Sequence, residues 1–281
     1  MIKTHDKNYF YKYVTADVAK IILNSLEVKC SSPLIFNDPF DSQIEIQHDI
    51  NSKEELMDQM IGNICEKFKP MLLNKNPEEA KHLVLKEILQ DNEYVDNNHT
   101  KFNEFYTEIN EKMIEVLEGE RLFCVSLVND NLLMWSHYAN DHQGAVIKLK
   151  CVPEKLSALC AAKPVIYTDK IPLLTTAHLI DGTEKILKYI LDEVLLTKSL
   201  DWKYEQEWRV SLLCQNKSEN FDLRSIFEEE LDSIYLGCRM NPQDKDEIIS
   251  IIKNKRKNVK TFEAEKDKNN FKLNFKKLST S

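Results

Sequence analysis

Aromatic and β-branched residues run together in Tyr9-Phe-Tyr-Lys-Tyr-Val14, a pattern that predicts a strand. Thr15 follows as a candidate N-cap, and Val18, Ile21, Ile22 and Ser25 recur at helical spacing before a second short strand, Leu26 to Cys30. From Ser52 to Gly119 the pattern changes to that of three amphipathic helices. Ser52-x-x-Glu55 makes a capping box, Asn76-Pro77 opens the second helix, and Phe102 to Leu117 supplies the third. Strand patterns then return at Leu122–Leu127, Gly144–Leu149, Pro164–Tyr167, Glu207–Leu213, Ser233–Leu236, Val259–Phe262 and Phe271–Phe275. Helices interrupt them at about 184–197 and 242–254, the latter capped by Asn241 with Pro242 at its first position. Strands that gather after helices, rather than alternating with them, predict an α+β fold with mixed or antiparallel sheets. No internal repeat and no Pro-rich linker divides the chain. A single α+β domain over 1–281, with a helical insertion at 52–119, is the expectation.

With 42% apolar residues in a chain of 281, a substantial core is expected. The mean hydropathy of -0.44, the 30% charged fraction and the lack of any apolar run near eighteen residues argue against a membrane-spanning helix. No charged-then-apolar leader begins at Met1-Ile-Lys-Thr-His5, so a cytoplasmic protein without membrane partners is expected. Seven cysteines, with no Cys-x-x-Cys pair, argue against a disulfide framework and a zinc knuckle and read as small buried apolar residues. Only five glycines occur, which removes the Gly-rich phosphate loops of nucleotide-triphosphate and dinucleotide folds. The net charge of -8 is uneven: residues 253–281 carry ten Lys or Arg against three Asp or Glu, a sum of +7 that leaves -15 for the rest. A charge run of this kind reads first as a solvated surface, and otherwise as a local patch for an anionic partner.

Three segments have compositions suited to chemistry. In Ser32-Pro-Leu-Ile-Phe-Asn-Asp-Pro-Phe-Asp41 the prolines force extended or turn backbone and leave Asp38 and Asp41 on a loop. Asn37 suits a turn that satisfies its own amides, whereas turn geometry does not require Asp41. The second, Asn131-Leu-Leu-Met-Trp-Ser-His-Tyr-Ala-Asn-Asp-His-Gln-Gly144, concentrates Trp135, His137, Tyr138 and His142 ahead of a strand. A five-residue spacing does not place both imidazoles on one helix face, and no Glu or Cys completes a zinc set. Trp135 suits a core position, while the polar members border a cleft or join a buried network. The third segment is Leu200-Asp-Trp-Lys-Tyr-Glu-Gln-Glu-Trp-Arg209. In extended backbone, Lys203, Glu205, Glu207 and Arg209 would share one face and Trp202, Tyr204 and Trp208 the other. These charges either neutralise one another along a solvated strand or form a carboxylate pair beside a cleft. Such a pair meets the electrostatic demand of glycosyl transfer, in which positive charge grows on a sugar carbon.

Together, Tyr11-Lys-Tyr13, Phe36-Asn-Asp-Pro-Phe-Asp41, Met134-Trp-Ser-His-Tyr138 with His142-Gln-Gly144, and Tyr204-Glu-Gln-Glu-Trp-Arg209 resemble the bacterial and phage domain-of-unknown-function family 2971 over roughly residues 9–275. That family supplies relatives and no reaction, so function must be argued from the site. More distantly, the order of residues resembles ADP-ribosyltransferases, which place a His or Arg on the first core strand, a hydroxyl or aromatic residue in the middle and a Glu late. This resemblance implies a mixed or antiparallel split sheet and NAD as co-substrate. Lys12 would stand where those enzymes carry His or Arg, and a lysine lacks the planar fork of Arg. Ser126 and Tyr138 are candidates for the middle position.

The resemblance also implies roles. Glu207 would hold the nicotinamide ribose and stabilise the developing cation, with Glu205 orienting or deprotonating the acceptor. Lys12 would lie near a phosphate or ribose, and Tyr13 or Tyr138 would stack against nicotinamide. Asn37, Asp38, Asp41, Ser126, Trp135, His137, His142 and Arg209 would border the same NAD site. Repulsion between the two glutamates would raise one pKa, with Arg209 opposing it. A toxin or phage-defence effector is implied, acting on a protein or nucleic-acid acceptor and accompanied by a cognate antitoxin. Two other classes stay open: a non-catalytic ligand- or nucleic-acid-sensing module, in which Asn37-Asp-Pro39 and Trp135-Ser-His-Tyr138 shape a recognition pocket and the basic C-terminal stretch contacts phosphates, and a metal-dependent nuclease using Asp38, Asp41 and Glu207.

Overall fold

A computed structural model describes residues 3–42, 111, 113–172 and 183–279. The chain forms two compact units: Met1–Gln43 with Leu117–Pro172 and Tyr189–Ser281, and Ile44–Val116 with Leu173–Lys188. The helices expected between 52 and 110 fall outside the described residues; 113–118 are helical. Everything below concerns the first unit.

Its N-terminal part follows from local sequence. Strand β1 (Tyr9–Val14) leads into helix α1 (Ala16–Ser25), whose Thr15 cap accepts a hydrogen bond from the Val18 N–H, and then into β2 (Glu27–Ser31). The later elements are β3 (Glu120–Ser126), α2 (Leu132–Tyr138), β4 (Ala145–Lys150), β5 (Lys163–Pro164) and β6 (Ile166–Thr168). Helix α3 (Thr183–Asp192), which begins in the second unit, precedes β7 (Thr197–Ser199), β8 (Glu207–Leu213), β9 (Phe221–Ser225) and β10 (Leu231–Leu236). Helix α4 (Pro242–Lys255) opens as expected on Asn241, which accepts from the Asp244 N–H, and is followed by β11 (Lys260–Lys266) and β12 (Leu273–Lys277).

The result is a mixed α+β fold with a mostly antiparallel sheet of ten strands, running β12-β11-β10-β4-β1-β3-β2-β9, with β8 attached to β3 and β5 attached to β8. Its parallel pair, β10 and β11, is joined across α4, the kind of crossover that parallel neighbours require. Period-two alternation sorts the side chains to two faces. Phe10, Ile147, Leu149, Ile234 and Leu236 point to one core with Leu23 of α1 and Ile248 and Ile252 of α4; Tyr13, Val146 and Tyr235 point to the other with Trp135 of α2. Lys20 on α1 bridges to Asp244 at 2.8 Å and Glu247 at 2.9 Å, joining the two helices. Among the described residues no helix is long and apolar enough to cross a membrane.

One irregularity positions the site. A strand has two edges, and β8 pairs with β3 along seven residues, from Glu120↔Leu213 to Ser126↔Glu207. Strands β1 and β2 therefore meet the other edge of β3, each at one position: Tyr11 opposite Ser126 and Ser31 opposite Leu122. Between these points the sheet is split. The Cys124 carbonyl, at that gap, accepts a 2.7 Å hydrogen bond from the Lys12 ammonium.

Candidate functional site

The expectation of an extended segment through Lys203 and Arg209 requires correction. Residues Leu200–Glu205 form a 3-10 turn, capped by Ser199, and Gln206 takes the left-handed conformation (φ 44°) before β8 begins at Glu207. Strict alternation is broken, so Lys203 is exposed while Glu205 and Glu207 are both buried. Ser126 fixes the turn by donating to the Glu205 carbonyl at 2.6 Å, and the Glu207 N–H donates to the Tyr167 hydroxyl at 2.8 Å.

Arg209, fully buried, organises the cluster. Its two terminal nitrogens grip Asp41 at 2.8 and 2.6 Å, Nε donates to Glu207 at 2.9 Å, and Nη1 also reaches the Leu195 carbonyl at 2.8 Å. This fork is a geometry only arginine supplies. The Phe36 ring packs with its centroid 5.2 Å from the guanidinium carbon. Lys198 enters from β7. Its ammonium lies 2.7 Å from Glu205, 3.0 Å from Glu207 and 3.6 Å from Asp41, with the Trp202 ring 5.0 Å away. Tyr138, at the end of α2, donates to the other oxygen of Glu205 at 2.7 Å.

The electrostatics separate the two glutamates. Burial alone would raise Glu207, but the charges of Arg209 and Lys198 and the hydrogen bond from Arg209 overcome it and hold the carboxyl well below the usual range. Glu205 is raised: burial dominates there, the nearby Glu207 charge adds to it, and Lys198 only partly offsets them. For Lys198 burial is again the largest influence and favours loss of the proton, yet three carboxylates outweigh it and keep the ammonium charged. Counting Asp41, Glu205 and Glu207 against Lys198 and Arg209, the cluster carries one net negative charge when Glu205 is ionised and none when it is protonated.

A pH dependence follows for Glu207. Its folded-state pKa is depressed, so its stabilisation is fully present above the ordinary value of 4.5 and is lost progressively as pH falls below it. Urea unfolding followed from pH 6 downward is expected to show a loss of stability that is smaller in Glu207→Gln; equal slopes in both proteins would refute the ion pairing.

The cluster forms one side of a cavity of about 170 Å³ that opens at the split between β1 and β2. Of the candidates named from sequence, Glu205, Glu207, Tyr138 and Asp41 line it, as do Lys12, Tyr13, Asn37 and Ser126. The Tyr13 hydroxyl donates to the Val128 carbonyl at 3.0 Å. Five candidates do not line the cavity. Arg209 stands behind the carboxylates as described. Trp135 is wholly buried in the second core, its indole N–H donating to the Asn129 carbonyl at 2.8 Å. His142 stacks on Trp135 with ring centroids 6.1 Å apart and closes a run of left-handed residues from Asn140. That turn packs against Gly237, where a Cβ would lie 2.0 Å from the His142 carbonyl oxygen. His137 is exposed beside Trp202, and Asp38 accepts from the Phe40 N–H at 2.9 Å in a local turn.

Lys198 and Lys29 were missed from sequence. Lys198 left a faint signal, as a lone charge following Val194-Leu-Leu-Thr197 and preceding Leu200, where a surface helix would expose it. Lys29 left none, because an alternating strand places a lysine on its outer face as a matter of course. The described cysteines are free, with Cys30, Cys151 and Cys160 buried and Cys124, Cys214 and Cys238 partly so.

Comparison with known proteins gives one family. Residues 134–210 match the family described as protein of unknown function (DUF2971), a segment that begins in α2, includes Tyr138, Lys198, Glu205, Glu207 and Arg209, and ends inside β8. The search of curated proteins finds no match. Nor does that of solved structures.

Proposed function

We propose that this unit is an ADP-ribosyltransferase-like enzyme that uses NAD as co-substrate and transfers its ADP-ribosyl group to a nucleophile on protein, nucleic acid or water, releasing nicotinamide. The observation that carries the reading is that two buried carboxylates with oppositely displaced pKa values line one cavity together with Tyr138 and Lys12. Displaced pairs of this kind assign complementary roles to chemically identical groups. Glu207, kept anionic, favours positive charge on the ribose carbon as the bond to the nicotinamide nitrogen breaks and its electron pair leaves with nicotinamide. Glu205 takes the proton released when the acceptor oxygen or nitrogen bonds to that carbon. Tyr138 and Lys198 fix Glu205 in place for this step.

The cavity is smaller than the ~300–1,000 Å³ of sites that enclose a whole drug-sized ligand. At about 170 Å³ it suits the ribosyl end of a dinucleotide, with the adenosine end outside. The split at β3 supports this reading, which assumes a split sheet. A role as toxin or phage-defence effector with a cognate antitoxin belongs to the same reading. The nuclease alternative needs Asp38, Asp41 and Glu207 around one metal ion, and it is disfavoured because Asp38 does not line the cavity and instead accepts from the Phe40 N–H in a local turn.

Nicotinamide release from NAD, measured with and without cell extract, tests the proposal. Turnover that is lost in Glu207→Gln is the expected result. No release under any condition, with salt-dependent polyanion binding that fails when lysines 272, 276 and 277 are neutralised, would instead favour the sensing module.

A further inference from the structure

Lysines on β1 and β2 give the cavity a second chemical character besides that of the carboxylates. On β2, Lys29 and Ser31 share the face opposite Val28 and Cys30, which are core residues, and both line the cavity. Lys12 shares the strand face of Phe10 and Val14, yet its ammonium reaches into the split and lines the cavity too. Among the described residues neither lysine has a carboxylate partner. Lys12 donates to the Cys124 carbonyl and lies 5.2 Å from the Phe123 ring centroid, while Lys29 rests 4.7 Å from that of Phe221. Contacts with ring faces use none of the ammonium hydrogens, so Lys29, and Lys12 beyond the one given to Cys124, keep hydrogens available. Lys198, by contrast, is consumed by the carboxylate cluster.

We infer that Lys12, Lys29 and Ser31 form a phosphate subsite, so that the group held between them and the Glu205–Tyr138 pair is a ribose 5-phosphate unit and the ligand is a nucleotide rather than a nucleoside. The inference rests on the proposed function for the identity of the sugar, and on the cavity alone for the anion. The two ends match the two halves of such a unit. Two ammonium groups and a hydroxyl complement a phosphate, and a carboxylate beside a phenol complements ribose hydroxyls, which donate to the one and accept from the other. The opposite orientation would put a phosphate against a cluster that is net negative when Glu205 is ionised, and hydroxyls against ammonium groups that have no carboxylate partner. Charge therefore favours the first direction of binding.

The test compares ribose 5-phosphate with ribose, and nicotinamide mononucleotide with nicotinamide riboside, by titration calorimetry on the full chain. Each phosphorylated ligand is expected to bind at least about tenfold more tightly than its partner, the value of one charge-assisted contact in a partly open site. That preference is expected to disappear in Lys29→Ala and to weaken with added salt. Lys29 is exposed, so this variant keeps the fold, which an unchanged thermal midpoint verifies. Ribose 5-phosphate that fails to bind, or a preference that survives in Lys29→Ala, overturns the subsite even where NAD is turned over. Lys29-dependent binding of ribose 5-phosphate without nicotinamide release upholds the subsite and removes the transferase reading.

Discussion

Replacing Arg209 by methionine is expected to destabilise the protein by about 3–5 kcal/mol in urea unfolding, the cost of leaving buried charges without their partner. The size follows from what Arg209 holds. Asp41 and Glu207 are each less than a tenth exposed, and the guanidinium donates to both oxygens of the first and supplies most of the neutralisation of the second. Lys198 cannot compensate, since it already faces all three carboxylates. Arg209→Lys is expected to recover only part of the loss, because a single ammonium cannot grip Asp41 with two parallel bonds while reaching Glu207 and the Leu195 carbonyl. Lys203→Met, at an exposed position of the preceding turn, serves as the control and is expected to stay within about 0.5 kcal/mol. A loss below about 1 kcal/mol in Arg209→Met would mean that the cluster is wet and loosely held.

Glu205→Gln is expected to slow nicotinamide release by about 10²–10⁴-fold, the usual contribution of a positioned acid or base, while leaving the fold intact. The amide removes the cluster's net negative charge and the proton acceptor together, yet keeps hydrogen-bonding atoms near Tyr138. The pH profile separates catalysis from packing. Only the ionised form of Glu205 can accept a proton, and its pKa is raised, so the wild-type rate is expected to fall as pH drops through a value above the ordinary 4.5. Tyr138→Phe deletes a donor to the ionised form and is expected to move that acid limb further upward. If Glu205→Gln turns over NAD at the wild-type rate, Glu205 has no part in proton transfer.

How much of this was legible beforehand depended on how local each signal was. Thr15 and Asn241 announce α1 and α4 because a cap is satisfied within four residues of itself. Strand β9 gives little signal although Phe221-Asp-Leu-Arg-Ser225 alternates; its pattern is polar and short, and it is defined by pairing with β2, nearly two hundred residues earlier in the chain. Single-stretch readings at 164–167 became two short strands, β5 on β8 and β6 on β7. In the site, Asp41 stood out because no turn needed it, and the two glutamates stood out as like charges placed close together. Their shared orientation was reached by the wrong route. Alternation suggested it, whereas a left-handed Gln206 between a 3-10 turn and a strand produces it. Lys198 completes the cluster through tertiary approach alone, and no spacing rule relates it to Asp41, 157 positions away.

Lys12 closes the break in the sheet with one hydrogen only, the one given to Cys124. An ammonium has three. A strand in its place would have exhausted its own donors in sealing that edge. Here the seam is stitched by a group with two hydrogens to spare, so the architecture stays closed at this point whether or not a guest occupies the opening.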